Sequence, residues 1–322
     1  MTRRAALLLW SLGAGLFLLS LLTPWAAIGE LLARDRALGL AILTELRLPR
    51  ALLALSYGAM LGGAGAAIQA LFANPLASPD LTGTTSGAAL GAVVTAYIFG
   101  FAAPVALSLG AVAGALGALF LLLALAGRRA ETATLLLSGL AISALAGALT
   151  TLALALAPSP FAFYDAYDWL MGSLVDRSLA QAAFAALPAA AAILLLLRLS
   201  APLDALTLGE DVAQSFGHDV ARLRLEIVCL TAVGVGACVA ICGAIGFVGL
   251  VAPIFARRLT GGHPGRALLP ACLIGASLLL AADLAVRLAP LGRTLPIGVV
   301  TALLGAPFFL WLVAHMRWRL ER

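Results

Sequence analysis

The sequence predicts an all-α, multi-pass membrane protein with about ten transmembrane helices, and three observations support that prediction. Hydrophobic residues make up 63% of the 322 residues, whereas charged residues make up 11%. The mean hydropathy of the chain is +1.08. Apolar runs recur along the chain, and most are separated by only a few polar residues. Lipid is therefore the expected solvent for most of the chain, and we expect a single transmembrane domain over residues 1–322.

Most of these runs approach the length of about 20 residues that a helix needs to cross the hydrocarbon core. The first run follows Arg3 and Arg4 and is long for the apolar core of a signal peptide, so we interpret it as a span. The eighth run is short and begins irregularly, which indicates a tilted or broken helix. The predicted spans cover residues 5–22, 48–71, 84–100, 103–126, 132–156, 179–197, 223–242, 245–258, 267–285 and 297–315.

Glycines recur at near-helical spacing in two of the spans, and in lipid such positions favour close packing of helices. They are Gly58, Gly62 and Gly65 in the second span and Gly110, Gly114 and Gly117 in the fourth.

All twenty basic residues are arginine, and this composition bears on both topology and chemistry. A P-loop places a lysine on the nucleotide phosphates, so a chain without lysine is not itself a conventional ATPase. With the N-terminus inside, thirteen arginines face the cytoplasm and seven face out, in agreement with the positive-inside rule. We therefore expect a multi-pass membrane protein with both termini in the cytoplasm. No basic face with interleaved aromatic residues indicates nucleic-acid binding.

The cysteines and histidines predict neither a metal site nor a cofactor site. Four cysteines lie within apolar spans, and three histidines stand isolated near span ends, without the spacing of metal ligands.

One sizeable polar island, Leu203–Arg224, interrupts the apolar runs in the interior of the chain. Gly209 and Gly217 stand where two very short helices would end in a left-handed residue. Glu210 and Asp211 follow Gly209 in the first turn of the second helix, where carboxylates complement the helix dipole. The island is either a solvated connection between two spans or a cytoplasmic docking surface.

The longest outward segment, Pro158–Arg177, is rich in aromatic residues and carries three aspartates. It is either an aromatic belt at the membrane interface or a short amphipathic re-entrant helix at the mouth of a pore.

Three further arginines lie at the predicted outer ends of spans. Arg47 and Arg50 flank Pro49 at the start of the second span, against the inside-positive bias, which suggests an outward task. Asp283 and Arg287 stand at i and i+4 in the ninth span, a spacing that favours an ion pair. Alternatively, Arg287 is exposed and reaches a second protein.

Several segments, in this order and spacing, resemble the permease subunits of the vitamin B12, iron–siderophore and haem importers, a class of ABC transporters. The resemblance extends from Arg47 to Leu312. The segments are IQALFANPLASPDLTGTTSGAALG (68–91), TLLLSGLAIS (134–143), WLMGSL (169–174), LTLGEDVAQSFGHDVARLR (206–224), GAIGFVGLVAPIFARRL (243–259), ADLAVRL (282–288) and LPIGVVTALLGAPFFLWL (295–312).

The resemblance implies a transport subunit rather than an enzyme. Two copies would form a homodimer around a central path, two separate ATPase subunits would dock on the cytoplasmic side, and a periplasmic binding protein would deliver the cargo. An iron–siderophore complex is the leading cargo, with haem or cobalamin as alternatives. Span five, the outer segment after it and span ten would border the path.

The resemblance also assigns roles to residues, none of them catalytic. The ATPase-coupling residues would be Thr207, Leu208, Gly209, Glu210, Asp211, Gln214 and Gly217, within a coupling segment at 203–222. The residues that dock the binding protein would be Arg47, Arg50 and Arg287, and those of the cytoplasmic gate Asn74, Leu76, Thr132 and Ala133.

Two positions depart from the family pattern. Ile254 replaces the usual histidine after Pro253, and Thr294 replaces the usual glutamate before the last span.

Two rival classes of protein are disfavoured by composition. A secondary transporter usually carries intramembrane carboxylates or histidines, and here Asp283 is almost alone. An intramembrane enzyme would need a nucleophile with a base, or a metal cluster, within a span.

Overall fold

The computed structural model describes residues 3–24, 29–30, 33–101, 103–127, 132–289 and 295–320. Within these ranges the chain forms helices and turns and no strand, which confirms the all-α prediction. Thr294 and the arginines at 128, 129, 293 and 322 lie outside the described residues.

Fourteen α-helices are numbered here in chain order among the described residues. They are α1 (Arg3–Leu22), α2 (Arg36–Ala41), α3 (Leu48–Leu71), α4 (Thr84–Tyr97), α5 (Pro104–Ala126), α6 (Thr132–Ala155), α7 (Pro160–Leu170), α8 (Leu179–Arg198), α9 (Ser200–Leu206), α10 (Glu210–Ser215), α11 (Val220–Cys242), α12 (Val248–Leu259), α13 (Pro264–Leu288) and α14 (Ile297–Leu320).

Seven helical segments of the described chain are long and apolar enough to cross a membrane. A shorter apolar helix occupies Ile297–Trp311. The third and eighth predicted spans form helices of 14 and 12 residues, α4 and α12, which are shorter than a usual crossing. The count of ten spans therefore remains a prediction.

The second span differs from its predicted start at residue 48. The helical run begins at Arg36 and continues to Leu71, with a π-helical stretch at Ile42–Arg47 between α2 and α3. In this stretch the Leu48 N–H donates to the Leu43 carbonyl. Proline has no N–H to donate, so an irregular hydrogen-bond pattern just before Pro49 lets the helix continue through it.

The core of the fold is a close contact between α3 and α13, mediated by glycines. A Cβ atom added to Gly58 would collide with the backbone of Gly275, and one added to Gly62 with the carbonyl of Ala271. Gly65 packs in the same way against Gly249 of α12. The predicted packing role of these positions is confirmed, because the backbones approach more closely than any side chain would permit.

A second glycine contact joins α4 and α5. Gly91 lies against Gly110, and Gly87 lies against Gly114. Gly117 differs from the prediction, because it has no such neighbour and faces outward.

Replacing Gly62 by alanine should lower the stability of the protein, because the α3–α13 contact cannot admit a Cβ atom without a shift of backbone. We expect a loss of about 1–3 kcal/mol, as is typical for overpacking. Gly117→Ala is the matched control, since nothing lies within 4 Å of its Cβ position. The measurement is a melting temperature, taken from the fraction of detergent-solubilised protein that stays monodisperse after heating. Equal melting temperatures for the two variants would contradict this packing.

Candidate partner-docking sites

The polar island folds as two very short helices, α9 and α10, as the sequence predicts. Gly209 and Gly217 adopt positive φ angles of 102° and 85°, and each follows the end of one helix. Glu210 and Asp211 occupy the first turn of α10. Asp219 caps α11 by accepting a hydrogen bond from the Arg222 N–H at 3.0 Å.

Two polar contacts fasten α9 and α10 to the neighbouring helices. The Asp204 carboxylate accepts a hydrogen bond of 2.8 Å from the Gly265 N–H at the start of α13. Glu210 forms an ion pair with Arg224 of α11. Leu203 of α9 and Ala213 of α10 are fully buried, so each short helix packs one side chain into the protein. The island is thus held in a fixed position against the ends of α11 and α13.

The outer surface of the island combines exposed carboxylates with exposed apolar side chains. Leu208 and Phe216 are 62% and 65% exposed, and Val212 lies between them. An exposed apolar set rimmed by polar residues is typical of a protein contact. The predicted coupling residues do not include Val212 and Phe216. Their i, i+4 spacing in a polar segment could have indicated an apolar contact surface.

The predicted gate residues lie in two segments, the turn after α3 and the start of α6. The Asn74 side chain accepts a hydrogen bond of 2.9 Å from the Leu76 N–H and so shapes the turn after α3. Further along this turn, the Ser143 hydroxyl of α6 donates to the Asp80 carbonyl at 3.2 Å. Ala133 is exposed near the start of α6. Thr132 is the first residue of that helix, and its side chain lies outside the described part.

Asp80 lies in this same turn, on the short 3₁₀ helix Pro79–Thr82. Burial among the surrounding helices raises the pKa of its carboxyl group above the ordinary value. The surroundings of the turn therefore favour the protonated form of Asp80 more than water would.

At the predicted outer end, Asp283 joins two of the three arginines in one ion network. Its side chain is 1% exposed, and one carboxylate oxygen accepts from Arg50 Nε at 2.7 Å. The other accepts from Arg287, with the closest nitrogen at 2.9 Å. The ion pair predicted between Asp283 and Arg287 is confirmed, and Arg50 is a partner that the sequence did not reveal.

Arg47 and Arg287 hold the C-terminal end of α1. Arg287 donates to the carbonyl and the hydroxyl of buried Ser20 at 2.7 and 2.9 Å. Arg47 donates to the carbonyls of Leu21 and Thr23 at 2.9 and 2.6 Å. Cationic groups stabilise a helix C-terminus, where carbonyl groups lack partners within the helix.

Arg50 differs from these two arginines in its remaining hydrogen-bonding capacity. It bonds to Asp283 through Nε alone, so both of its terminal nitrogens are without a hydrogen bond to the described residues. A guanidinium in this state can still meet a carboxylate in bidentate fashion.

Replacing Asp283 by asparagine should destabilise the protein markedly, because two largely buried guanidinium groups would lose their shared counter-charge. Removing one partner of a buried ion pair typically costs about 3–5 kcal/mol. The fall in melting temperature of the purified protein measures this effect. Asp211→Asn is the control, since Asp211 is exposed and no ion pair of the described chain includes it. A melting temperature for Asp283→Asn as high as that of the control would disprove the network's structural role.

No group of metal-ligating side chains occurs among the described residues, and the cysteines are free thiols. The features that remain are two candidate docking surfaces, the island and the arginine network, which lie near opposite ends of α13.

Comparison with known proteins identifies the class of this body. The model of the FecCD transport family matches residues 5–315, and the chain therefore belongs to that family. It is a membrane-spanning permease subunit of an ABC importer, and ATP is hydrolysed by a separate ATPase subunit.

Particular relatives are similar over almost the whole chain. The vitamin B12 import system permease protein BtuC of Klebsiella pneumoniae is 42% identical over 299 residues, which cover 92% of this chain and 88% of the relative. The protein of the same name from Vibrio cholerae is 41% identical over 316 residues, 94% and 92% of the two chains. A solved structure described as an inward-facing conformation of a metal-chelate type ABC transporter superimposes with a TM-score of 0.80 at 33% identity, covering 87% of this chain and 89% of the other.

Proposed function

We propose that the chain forms the translocation path of a cobalamin importer. The observation that carries the proposal is the similarity, at 41–42% identity, to permeases that are themselves named for vitamin B12 import. The sequence favoured an iron–siderophore complex as cargo and kept cobalamin and haem as alternatives. Two relatives matched over nine-tenths of the chain shift that preference to cobalamin.

The proposed assembly is a homodimer in the inner membrane, with both termini in the cytoplasm. The excess of arginine at the island side of the spans supports this orientation. Two ATPase subunits dock on the two polar islands, and a periplasmic binding protein docks at the opposite end.

The proposed mechanism is a shift between two states of the gate. Nucleotide binding draws the ATPase subunits together, and the island carries that motion into the spans through Asp204–Gly265 and Glu210–Arg224. The coupling residues Thr207 to Gly217 receive the motion, and the gate residues Asn74, Leu76, Thr132 and Ala133 respond to it. A ligand shifts such an equilibrium only by its difference in affinity for the two states.

The cargo can be tested by uptake into proteoliposomes that contain the permease, the ATPase and the binding protein. We expect ATP-dependent accumulation of cobalamin and, at equal concentration, little accumulation of haem or of a ferric siderophore. A hydrolysis-deficient ATPase is the control for leakage. Accumulation of the siderophore or of haem without cobalamin would overturn the cargo, while leaving the class of transporter intact.

Charge reversal on α10 should uncouple transport from ATP hydrolysis. In Asp211→Arg an exposed carboxylate becomes cationic without any change to the Glu210–Arg224 pair, so its effect reports docking alone. The double variant Glu210→Arg, Asp211→Arg should lose more, because it also breaks that internal pair. We expect uptake to fall at least about tenfold, corresponding to about 1.4 kcal/mol of lost docking free energy, with normal insertion in the membrane. Full co-purification of the ATPase with the double variant, together with undiminished uptake, would refute the docking role.

Reversing the charge of the predicted outer arginines should weaken the binding of the periplasmic binding protein to the permease. Arg50→Glu should lower its affinity most, since Arg50 is the arginine with unused terminal nitrogens; because it also removes a partner of Asp283, the affinity is measured on folded, monodisperse protein. Arg47→Glu should act mainly on stability through the end of α1, and basal ATPase activity should persist in both. Surface plasmon resonance with the immobilised binding protein measures the affinity. If Arg50→Glu binds as tightly as the wild type, this arginine serves only internal pairing.

A further inference from the structure

A cavity of about 710 Å³ opens at the predicted outer end of the chain. The end of α4, Leu107 of α5, the helix α7 with the segment after it, and the two residues before α14 form its walls. Its volume falls within the range of about 300–1,000 Å³ that small-molecule sites occupy. None of the docking or gate residues lines it.

The charged groups among the described lining of this outer cavity come from one short stretch of chain. Asp168 and Asp176 are exposed, and Arg177 is half-buried between the walls. The Nε atom of Arg177 is fully buried and has no hydrogen-bond partner among the described residues. Because Nε is enclosed by the protein, a ligand in the cavity would have to bond to the terminal nitrogens of Arg177. Apart from these groups and Ser173, the lining is largely apolar and includes Trp169.

The walls are held in place by backbone hydrogen bonds. The Ser173 N–H donates to the Cys242 carbonyl at 2.8 Å, and the Ile297 N–H donates to the Gly172 carbonyl at 3.0 Å. Tyr97 donates its hydroxyl proton to the Ala162 carbonyl at 2.6 Å and ties α4 to α7. The cavity is therefore formed before any ligand arrives, which lowers the entropic cost of binding.

The formal charges of the lining favour one class of ligand. Among the described lining residues, two carboxylates and one guanidinium give a formal net charge of −1, which disfavours carboxylates and other anions. A neutral carboxamide suits both kinds of group, because its N–H donates to an aspartate and its carbonyl accepts from Arg177. Corrinoids carry carboxamides around the ring, whereas haem carries propionates.

We propose that this outer cavity is a selectivity site that accepts a carboxamide-bearing edge of the cargo and rejects an anionic one. The proposal rests on the function proposed above and assigns Asp168, Asp176 and Arg177 as the residues that discriminate. A whole corrinoid is larger than the cavity, so only one edge enters it.

The test compares two corrinoids of the same ring: cobalamin, and a derivative whose side-chain amides have been hydrolysed to carboxylates. Each is presented by a saturated binding protein to the full complex in proteoliposomes, and the ratio of uptake rates is measured. Wild type should favour the amide form by about tenfold or more, and Asp168→Asn, Asp176→Asn should reduce that ratio about tenfold while retaining cobalamin uptake. Glu45→Gln is the matched control, an exposed outer carboxylate that does not line the cavity.

The outcomes separate this proposal from the cargo assignment. If wild type accumulates no cobalamin, the assigned cargo is wrong. If wild type accumulates cobalamin but the ratio is unchanged in the double variant, the cavity does not discriminate. An equal change in Glu45→Gln would attribute the effect to the general outer charge and would also overturn the proposal.

A second measurement locates the cargo directly. Ala166→Cys places a thiol in the cavity wall. Alkylation of this thiol in the complex should be slowed at least about fivefold by cobalamin-loaded binding protein, as expected for a largely occupied site, and not by the hydrolysed derivative. Equal alkylation rates with both ligands would place the cargo elsewhere.

Discussion

The close backbone contact between α3 and α13 is the constraint on which the rest of the structure depends. Gly58 and Gly62 of α3 meet Gly275 and Ala271 of α13 without intervening side chains. In lipid, where burial of apolar surface does not drive helices together, such packing supplies much of the association energy. Both candidate docking surfaces are attached to this helix pair. The ion network of Arg50 and Asp283 joins its predicted outer end, and the bond from Gly265 to Asp204 attaches the island at the other. A shift of α13 against α3 would therefore move both the ion network and the island.

The outer ion network imposes a competition between stability and docking. Asp283 is shared by two guanidinium groups, so a partner carboxylate that captured Arg287 would leave Ser20 and one carboxylate oxygen without their partner. Capture of the free terminal nitrogens of Arg50 has no such cost. The three arginines that look equivalent in the sequence thus have different roles in the structure. Two brace the end of α1, and one has nitrogens to spare for a partner.

Much of the fold could be predicted because each long apolar run satisfies its own backbone as a helix. The two short helices of the island were equally local, since Gly209 and Gly217 stop them. The partnership of Arg50 with Asp283 could not be predicted, because 233 residues separate the pair and only the i, i+4 neighbour of Asp283 leaves a local signal. The outer cavity was hidden for the same reason. Its aspartates were visible in the sequence, but the walls that enclose them come from four parts of the chain, between residues 92 and 296.

The central claim is that the island is the surface through which a separate ATPase drives this permease. Site-specific photo-crosslinking tests it most directly, with benzoylphenylalanine in place of the exposed Phe216 in cells that express all three components. Irradiation should attach the ATPase subunit to the permease, whereas the same probe at the outer, exposed Tyr164 should not. A Phe216 probe that captures no ATPase, or that captures the binding protein, would contradict the account.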